Sequence, residues 1–381
     1  MNTQTFRGVQ ALRGIAALSV MLFHFRWNIN AQIPGRGDAL FGWGATGVDL
    51  FFLISGFVIT LSAAKAPQGI SGALNFLKKR ALRILPAYYI ILVISFFLTG
   101  AMSTFHYADK TENFISALTF MPILPDHAPF YVDDSGMFGV RWTLNYEVMF
   151  YLFISVALLF AKRWVWAGVL FAATLVVLPL TLGYQLTLQP AGYKVDSALL
   201  GLITNPMTWL FLTGMLIGLA LPYLRWLSSS VMAVAAVCSL IAAAYFFSHG
   251  MYAGHGLLSS GWVYGLILLT FALSEDVIGK YVPKFFFFVW GGFFFFFFFR
   301  LGDISFSLYL IHTLMNNGLG KRFESFGIED GYVRFVVSIA LSCLLAWLSW
   351  RYIERPFIRA GKIKTVSKEK NAAASSPASH K

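Results

Sequence analysis

The sequence ALRGIAALSVMLFHFRWN, residues 11–28, decides the fold class of this chain. It is apolar and long enough to cross the roughly 30 Å core of a bilayer as a helix, yet it contains Arg13 and His24. Eleven positions apart, the two side chains fall on nearly the same helix face, about 16 Å from each other along the axis. Ionisable groups in a membrane helix are costly and generally face the protein interior, a partner or a water-filled cavity. The pattern indicates a polar path through the bilayer. The alternative is that Arg13 is a snorkelling anchor at the membrane edge and that His24 is a residue at the end of the helix.

The composition extends this conclusion to the whole chain. Of the 381 residues, 58% are hydrophobic and only 12% are charged, about half the charged fraction of a soluble protein. We therefore predict an all-α polytopic membrane bundle, with one integral-membrane domain over 1–360 and a disordered basic cytoplasmic tail over 361–381. The net charge of +12 is spread over short loops and the tail, which argues against nucleic-acid binding. The two cysteines lie in apolar segments, and no Cys/His spacing predicts a metal site.

Hydropathy and charge together predict the topology. Ten apolar runs are long enough to be proposed as crossings, although several are short: 11–29, 46–64, 84–100, 142–160, 164–182, 206–222, 230–248, 260–274, 302–317 and 332–352. With the N-terminus inside, 21 of the 29 Lys and Arg residues fall in inner segments, so both termini are predicted to be cytoplasmic. The run FFFFVWGGFFFFFFF, 285–299, is interpreted as a short hairpin or interfacial segment, because an eleventh crossing would place the Lys-rich tail outside.

The second span reads GVDLFFLISGFVIT, residues 47–60. Asp49 lies near its outer end, at the depth predicted for His24, so its carboxylate could orient or charge-balance that imidazole. An ordinary interfacial aspartate is the alternative. Ser55 and Gly56 at the centre are small residues that let membrane helices pack closely.

A basic cluster precedes the third span in FLKKRALRILPAYY, residues 76–89. Lys79, Arg80 and Arg83 lie at the predicted inner surface. Arg80 and Arg83 are three positions apart and share a helix face. The planar guanidinium fork suits phosphates, including those of a nucleotide; binding of anionic lipid is the alternative.

Further polar residues occur in three later segments. RWTLNYEVMFYLF, residues 141–153, places Trp142 and Asn145 above Glu147, and a buried carboxylate should have a partner such as His24 or Arg141. ISFSLYLIHT, residues 304–313, adds Tyr309 and His312. RYIERPF, residues 351–357, is interpreted as an ion-paired cap in which Glu354 meets Arg351 and Arg355.

These motifs occur in the order found in the acyltransferase family 3 membrane proteins, which this chain resembles from about residue 7 to 357. The motifs are Arg13-x10-His24, GVDLFFLISGF, Arg80-x-x-Arg83, WTLNYE, ISFSLYLIH and RYIERPF. The resemblance implies a roughly ten-helix, multi-pass enzyme of the bacterial inner membrane. Such enzymes transfer an acyl group, often acetyl, from cytoplasmic acyl-CoA to a hydroxyl, usually of a polysaccharide or other glycan.

The resemblance also implies roles for individual residues. His24 corresponds to the essential histidine, Arg13 to its partner, and Arg80 and Arg83 to the arginine pair on the acyl-donor side. The phenylalanine tract departs from the family pattern. The extracytoplasmic domain that some members carry is not found in this sequence, so we expect action alone or with a separate extracytoplasmic transferase.

The expected chemistry can be stated from the residues. An imidazole such as His24 is suited to take the proton of an attacking hydroxyl near pH 7, or to carry the acyl group itself. We expect Glu147 and Asp49 to assist His24 in catalysis. Arg80, Arg83 and Lys79 are expected to bind acetyl-CoA, and no metal is expected to be needed. Four further residues are expected to contact the substrate: Trp142, Asn145, Tyr309 and His312. A transporter or flippase of a polar solute or lipid-linked sugar is the main alternative, although no internal repeat supports it.

Overall fold

Every regular element in the described part of the chain is a helix. The structure, a computed structural model, describes residues 6–100, 103–134, 138–278, 280, 293–317 and 319–360. The α-helices are α1 (Arg7–Gln32), α2 (Arg36–Phe41), α3 (Gly47–Ala63), α4 (Ile70–Ser95), α5 (Ala108–Thr119), α6 (Trp142–Ala157), α7 (Arg163–Ala172), α8 (Leu178–Thr181), α9 (Ala198–Thr204), α10 (Thr208–Leu224), α11 (Ser229–Ser248), α12 (Trp262–Leu273), α13 (Phe293–Asn317) and α14 (Tyr332–Ser349). Short turns of other helix types extend α4, join α7 to α8, precede α12 and follow α14.

The helices confirm the all-α membrane class. Each of the ten apolar runs coincides with a helix. Seven helical segments in the described residues are long and apolar enough to cross a membrane: Arg7–Gln32, Arg36–Ala63, Ile70–Thr99, Arg163–Thr181, Ala198–Leu224, Ser229–Ser248 and Tyr332–Ala360. Ten crossings and cytoplasmic termini stay predictions.

Helix α1 is the central element of the bundle. It packs most extensively along α13 and also contacts α3, α12 and α14. Its first free amides are capped by a distant carboxylate, because the N–H groups of Arg7 and Gly8 donate to the two oxygens of Glu275 at 2.7 and 3.0 Å. A fixed start and a long packed face give the residues on α1 defined depths in the bundle.

Helices α3 and α10 approach each other through glycine. A Cβ atom on Gly56 would lie 2.1 Å from the carbonyl oxygen of Phe211, and one on Gly214 would lie 1.9 Å from that of Leu53. Only a residue without a side chain allows such backbone contact. The interpretation of Ser55-Gly56 as a packing site is therefore confirmed for Gly56.

The phenylalanine tract is only partly within the described residues. Residues 293–299 form the first turns of α13 and continue directly into 302–317, so this part is a helix extension and not a separate hairpin. The remainder of the tract, 285–292, and the predicted tail, 361–381, lie outside the described residues.

Candidate active site

Two histidines from different helices meet in the interior. The rings of His24 on α1 and His312 on α13 have centroids 4.9 Å apart, and His24 Nδ1 lies 3.3 Å from His312 Nε2. His24 Nδ1 also lies 2.9 Å from the carbonyl of Val20. His312 Nδ1 lies 3.1 Å from the carbonyl of Leu308. We refer to these residues as the histidine pair.

The hydrogen bonds assign the tautomers of the histidine pair. A carbonyl oxygen only accepts, so the network places a proton on Nδ1 of each ring. His312 Nε2 is then an acceptor for the Nδ1–H of His24, and the basic lone pair of His24 is on Nε2. His312 is fully buried, whereas His24 is partly accessible. His312 thus orients His24, and His24 Nε2 is the nitrogen suited to take a proton.

Tyr309 lies one helical turn before His312. Its ring centroid is 5.8 Å from that of His312 and 5.6 Å from that of Phe51. Its hydroxyl donates to the carbonyl of Val140 at 3.1 Å and lies 2.9 Å from Thr143 Oγ1. The ring also lines an internal cavity, so Tyr309 contacts both this cavity and the ring of His312.

We call this space the inner cavity; its volume is about 70 Å³. Its wall carries three guanidinium groups and one carboxylate, together with apolar side chains from α3, α4 and α13. The charged residues are Arg13, Arg80, Arg83 and Glu147. A cavity of this kind suits a ligand with an anionic group and a neutral portion.

A second space, which we call the vestibule, has a volume of about 660 Å³. It shares Arg13, Val58 and Arg83 with the inner cavity. Among the described residues that line it, five are basic and none is acidic. The basic residues are Arg13, Lys65, Lys79, Arg83 and Arg225. The vestibule is therefore an anion-attracting space that adjoins the inner cavity.

The two predicted donor-side arginines differ in their contacts. Arg80 Nη2 donates to Ser62 Oγ at 2.8 Å, and its buried Nε has no hydrogen-bond partner among the described residues. Arg83 forms no hydrogen bond or ion pair within the described ranges, although it lies in the electrostatic field of Arg13 and Glu354. Both retain donor capacity for a ligand.

Glu147 has partners other than those expected. It accepts hydrogen bonds from the hydroxyl of Tyr151 and, at 3.4 Å, from Ser55 Oγ. The expectation that His24 or Arg141 pairs with Glu147 was wrong. Arg141 is fully buried and donates to Asn113 and Ser116 of α5, which ties the segment before α6 to the bundle.

Glu354 lies in a different environment from the one that the sequence suggested. It is 4% exposed and accepts hydrogen bonds from the Ser307 amide, at 3.1 Å, and hydroxyl. Neither Arg351 nor Arg355 forms an ion pair with it in the described residues; its cationic neighbours are Arg83 and Arg13. The interpretation of RYIERPF as an ion-paired cap of Glu354 with Arg351 and Arg355 was therefore wrong.

Asp49 is also paired differently from the expectation. The carboxylate is fully buried and accepts three hydrogen bonds of 2.7 Å, from His255 Nδ1, the Gly256 amide and Ser260 Oγ. These partners come from the segment before α12, and none is His24. Burial alone would lower the pKa of His255, but the charge and hydrogen bond of Asp49 outweigh burial and raise that pKa above 6.5. No sequence pattern singled out His255.

The remaining predicted residues occupy different surroundings. Trp142 packs edge-on against Phe130, with ring centroids 4.9 Å apart. Asn145 is buried, and neither amide atom has a hydrogen-bond partner among the described residues. Lys79 lines the vestibule. Arg13 and His24 are on one helix but do not meet, because one faces the cavity and the other contacts His312. Within the described residues no group of three metal-binding side chains occurs.

Fold and site together define a polytopic helical membrane enzyme. The chain belongs to the acyltransferase domain family, acyltransferase family 3, whose model matches residues 6–351. It is therefore a membrane acyltransferase of the O-acyl or O-acetyl type. No solved structure matches the chain.

Several named proteins are similar to this chain. Exopolysaccharide production protein ExoZ of Rhizobium meliloti (strain 1021) is 26% identical over 85% of this chain and 92% of its own length. Nodulation protein 10 of Rhizobium leguminosarum bv. viciae is 30% identical over 54% of this chain and 57% of its own. "Putative O-acetyltransferase SACOL0978" of Staphylococcus aureus (strain COL) is 25% identical over 93% of this chain. The chain spans 57% of the length of each of the last two relatives.

Proposed function

We propose that the protein transfers an acyl group, acetyl in the simplest case, from acyl-CoA to a hydroxyl of a cell-surface polysaccharide. This proposal rests on the spatial order of three features: a basic vestibule, an adjoining inner cavity lined by arginines, and Tyr309 with the histidine pair beside that cavity. The names of the similar proteins, which include exopolysaccharide production and O-acetyltransferase, support a glycan acceptor. We further propose the bacterial inner membrane as the location, with the donor on the cytoplasmic side and the acceptor on the other.

The basic residues bind the phosphates of the donor. Coenzyme A has a diphosphate and a ribose phosphate at one end and a long neutral pantetheine arm at the other. Lys79 and Arg83 in the vestibule and Arg80 in the inner cavity supply charge-assisted hydrogen bonds to the phosphates. The neutral arm then follows the apolar wall of the inner cavity towards Tyr309.

The histidine pair carries out proton transfer. His24 Nε2 takes the proton of the acceptor hydroxyl while the hydroxyl oxygen attacks the thioester carbonyl carbon. The C–S bond breaks, and the proton passes from His24 to the departing sulfur, which leaves as the CoA thiol. His312 holds the His24 tautomer through Nδ1–H, the orienting role that a third group has in catalytic triads.

The test of the reaction uses purified protein in liposomes, with radiolabelled acetyl-CoA and polysaccharide from cells lacking the protein. His24→Gln removes the base, and transfer should fall by about 10²–10⁴, while acetyl-CoA binding and Tm stay near the parent values. The control is His106→Gln, at an exposed histidine outside the site; this variant should transfer the acetyl group at the parent rate. An active His24→Gln enzyme would remove His24 from the mechanism, and absence of label transfer by the parent would favour a transporter or flippase.

The basic cluster in α4 supplies a matched control for the test of donor binding. Lys79 lines the vestibule, but the adjacent exposed Lys78 lines neither space. Arg83→Ala should weaken acetyl-CoA binding roughly tenfold to a hundredfold, the value of one charge-assisted contact, and Lys79→Ala should weaken it less. Lys78→Ala should bind acetyl-CoA as the parent does. Equal effects of Lys78→Ala and Lys79→Ala would mean that the cluster acts only as a general basic surface.

A further inference from the structure

A second imidazole site, separate from the histidine pair, is built around Asp49. The carboxylate is 0% exposed, and its two oxygens are held by three donors at 2.7 Å. A buried carboxylate with this many donors is held in one orientation. His255 is one of these donors, so the position and orientation of its ring are fixed as well.

The geometry leaves the other edge of the His255 ring available. The short bond to Asp49 Oδ1 places the proton of the neutral ring on Nδ1 and the lone pair on Nε2. His255 Nε2 forms no hydrogen bond with any described residue, and the side chain is 22% exposed. The edge of the ring opposite Asp49 is therefore an accessible hydrogen-bond acceptor.

The surroundings of His255 connect it to the catalytic helices. Its ring lies edge-on to Trp142, with centroids 6.2 Å apart, and Trp142 also contacts the partly exposed Phe130. The next residue on α6, Thr143, contacts Tyr309 beside the histidine pair. An aromatic wall with one convergent polar group is typical of a small-ligand site. The first turn of α6 thus links His255 to the cavity that we assign to the donor.

We propose that His255, positioned by Asp49, binds the carbohydrate acceptor: its Nε2 accepts a hydrogen bond from a sugar hydroxyl while the ring packs beside Trp142 and Phe130. This inference rests on the proposed function. It gives Asp49 the role of a positioning residue for His255 and leaves proton transfer to His24. The acceptor and donor then approach the first turn of α6 from different directions.

The decisive substitution is His255→Asn, because an asparagine amide can still donate to Asp49 from the place of Nδ1 but has no group at the place of Nε2. In the liposome assay, with polysaccharide from cells lacking the protein as the acceptor, this variant should raise the acceptor KM roughly 3- to 10-fold, as expected for one lost hydrogen bond. The KM for acetyl-CoA should not change, and the Tm should not change when it is measured above the folded-state pKa of His255, where the parent ring is neutral. His249→Asn, at an exposed histidine in the same connection, is the control and should match the parent.

Other outcomes would overturn the inference in distinguishable ways. If His255→Asn has the parent's acceptor KM while His255→Ala lowers the Tm, the imidazole only anchors its loop to Asp49. If His255→Asn raises the KM for acetyl-CoA as much as that for the polysaccharide, the residue supports the whole site and binds no acceptor. If the parent transfers no acetyl group, the proposed function itself fails, and this inference with it.

Discussion

Gly56→Ala is the smallest change that tests how closely α3 and α10 pack. The new Cβ would lie 2.1 Å from the carbonyl oxygen of Phe211 and 3.0 Å from the amide nitrogen of Met215. Non-bonded heavy atoms need well over 3 Å, so the two helix backbones must separate by about 1 Å. Overpacking of this size costs about 1–3 kcal/mol, and the obstructing atoms are backbone, which cannot rotate away.

A matched control isolates this cost. Alanine stabilises a helix interior by about 1 kcal/mol relative to glycine, and this gain opposes the steric cost at Gly56. At Gly168 in α7 a Cβ would meet nothing within 4 Å, so Gly168→Ala shows the gain alone. The difference in unfolding free energy between the two variants is therefore the overpacking cost.

The assay is thermal unfolding of both variants and the parent in the same detergent. Gly56→Ala should unfold several degrees below Gly168→Ala. Its KM for acetyl-CoA should also rise, because Ser55 and Ile59 on the displaced helix line the inner cavity. A Gly56→Ala protein as stable as Gly168→Ala would refute the argument that backbone contact joins α3 to α10.

Three further predictions concern charged groups. Glu354→Gln retains acceptance from Ser307 but removes the negative charge near Arg83 and Arg13, so the KM for acetyl-CoA should fall by roughly twofold to tenfold; an increase would contradict this. Arg141→Met removes the buried hydrogen bonds to Asn113 and Ser116 of α5 and should cost about 1–3 kcal/mol in unfolding free energy, whereas Arg36→Met at an exposed site should cost little. The raised pKa of His255 stabilises the fold below pH 6.5, and this contribution is lost as the pH rises through the folded-state pKa. The Tm of the parent should therefore fall relative to that of His255→Asn as the pH rises above 6.5, and parallel curves would exclude the contribution.

Composition and periodicity predicted the helices well because the bilayer restricts the alternatives. Spanning segments must satisfy their own backbone hydrogen bonds, so long apolar runs become helices. The same rule indicated that Arg13, Glu147 and His312 face the protein interior, and the structure places Arg13 and Glu147 in one cavity. Local patterns were sufficient for these conclusions.

The pairing of polar side chains could not be predicted in the same way. Asp49 and His255 are 206 positions apart, and His24 and His312 are 288 apart. Helical spacing relates residues on one helix only, so Arg13 was paired with His24 and Glu354 with Arg351 and Arg355. Which helices are neighbours depends on close contacts such as Gly56 with Phe211, and these are fixed by the whole bundle.

The arrangement of the site also bears on the class of donor. Arg83 and Tyr309 line the same cavity, and Tyr309 lies three residues, about 4.5 Å along α13, from the level of His312. The arginines line the cavity from α1 and α4, whereas Tyr309 lines it from α13 beside the histidine pair, so charge and reaction are assigned to different parts of the site. A donor suits this arrangement only if a long neutral arm separates its phosphates from its carbonyl carbon. Acyl-CoA has such an arm, but an acyl phosphate carries its charge next to the carbonyl. The arrangement therefore favours acyl-CoA, and acetyl phosphate should not replace it in the liposome assay.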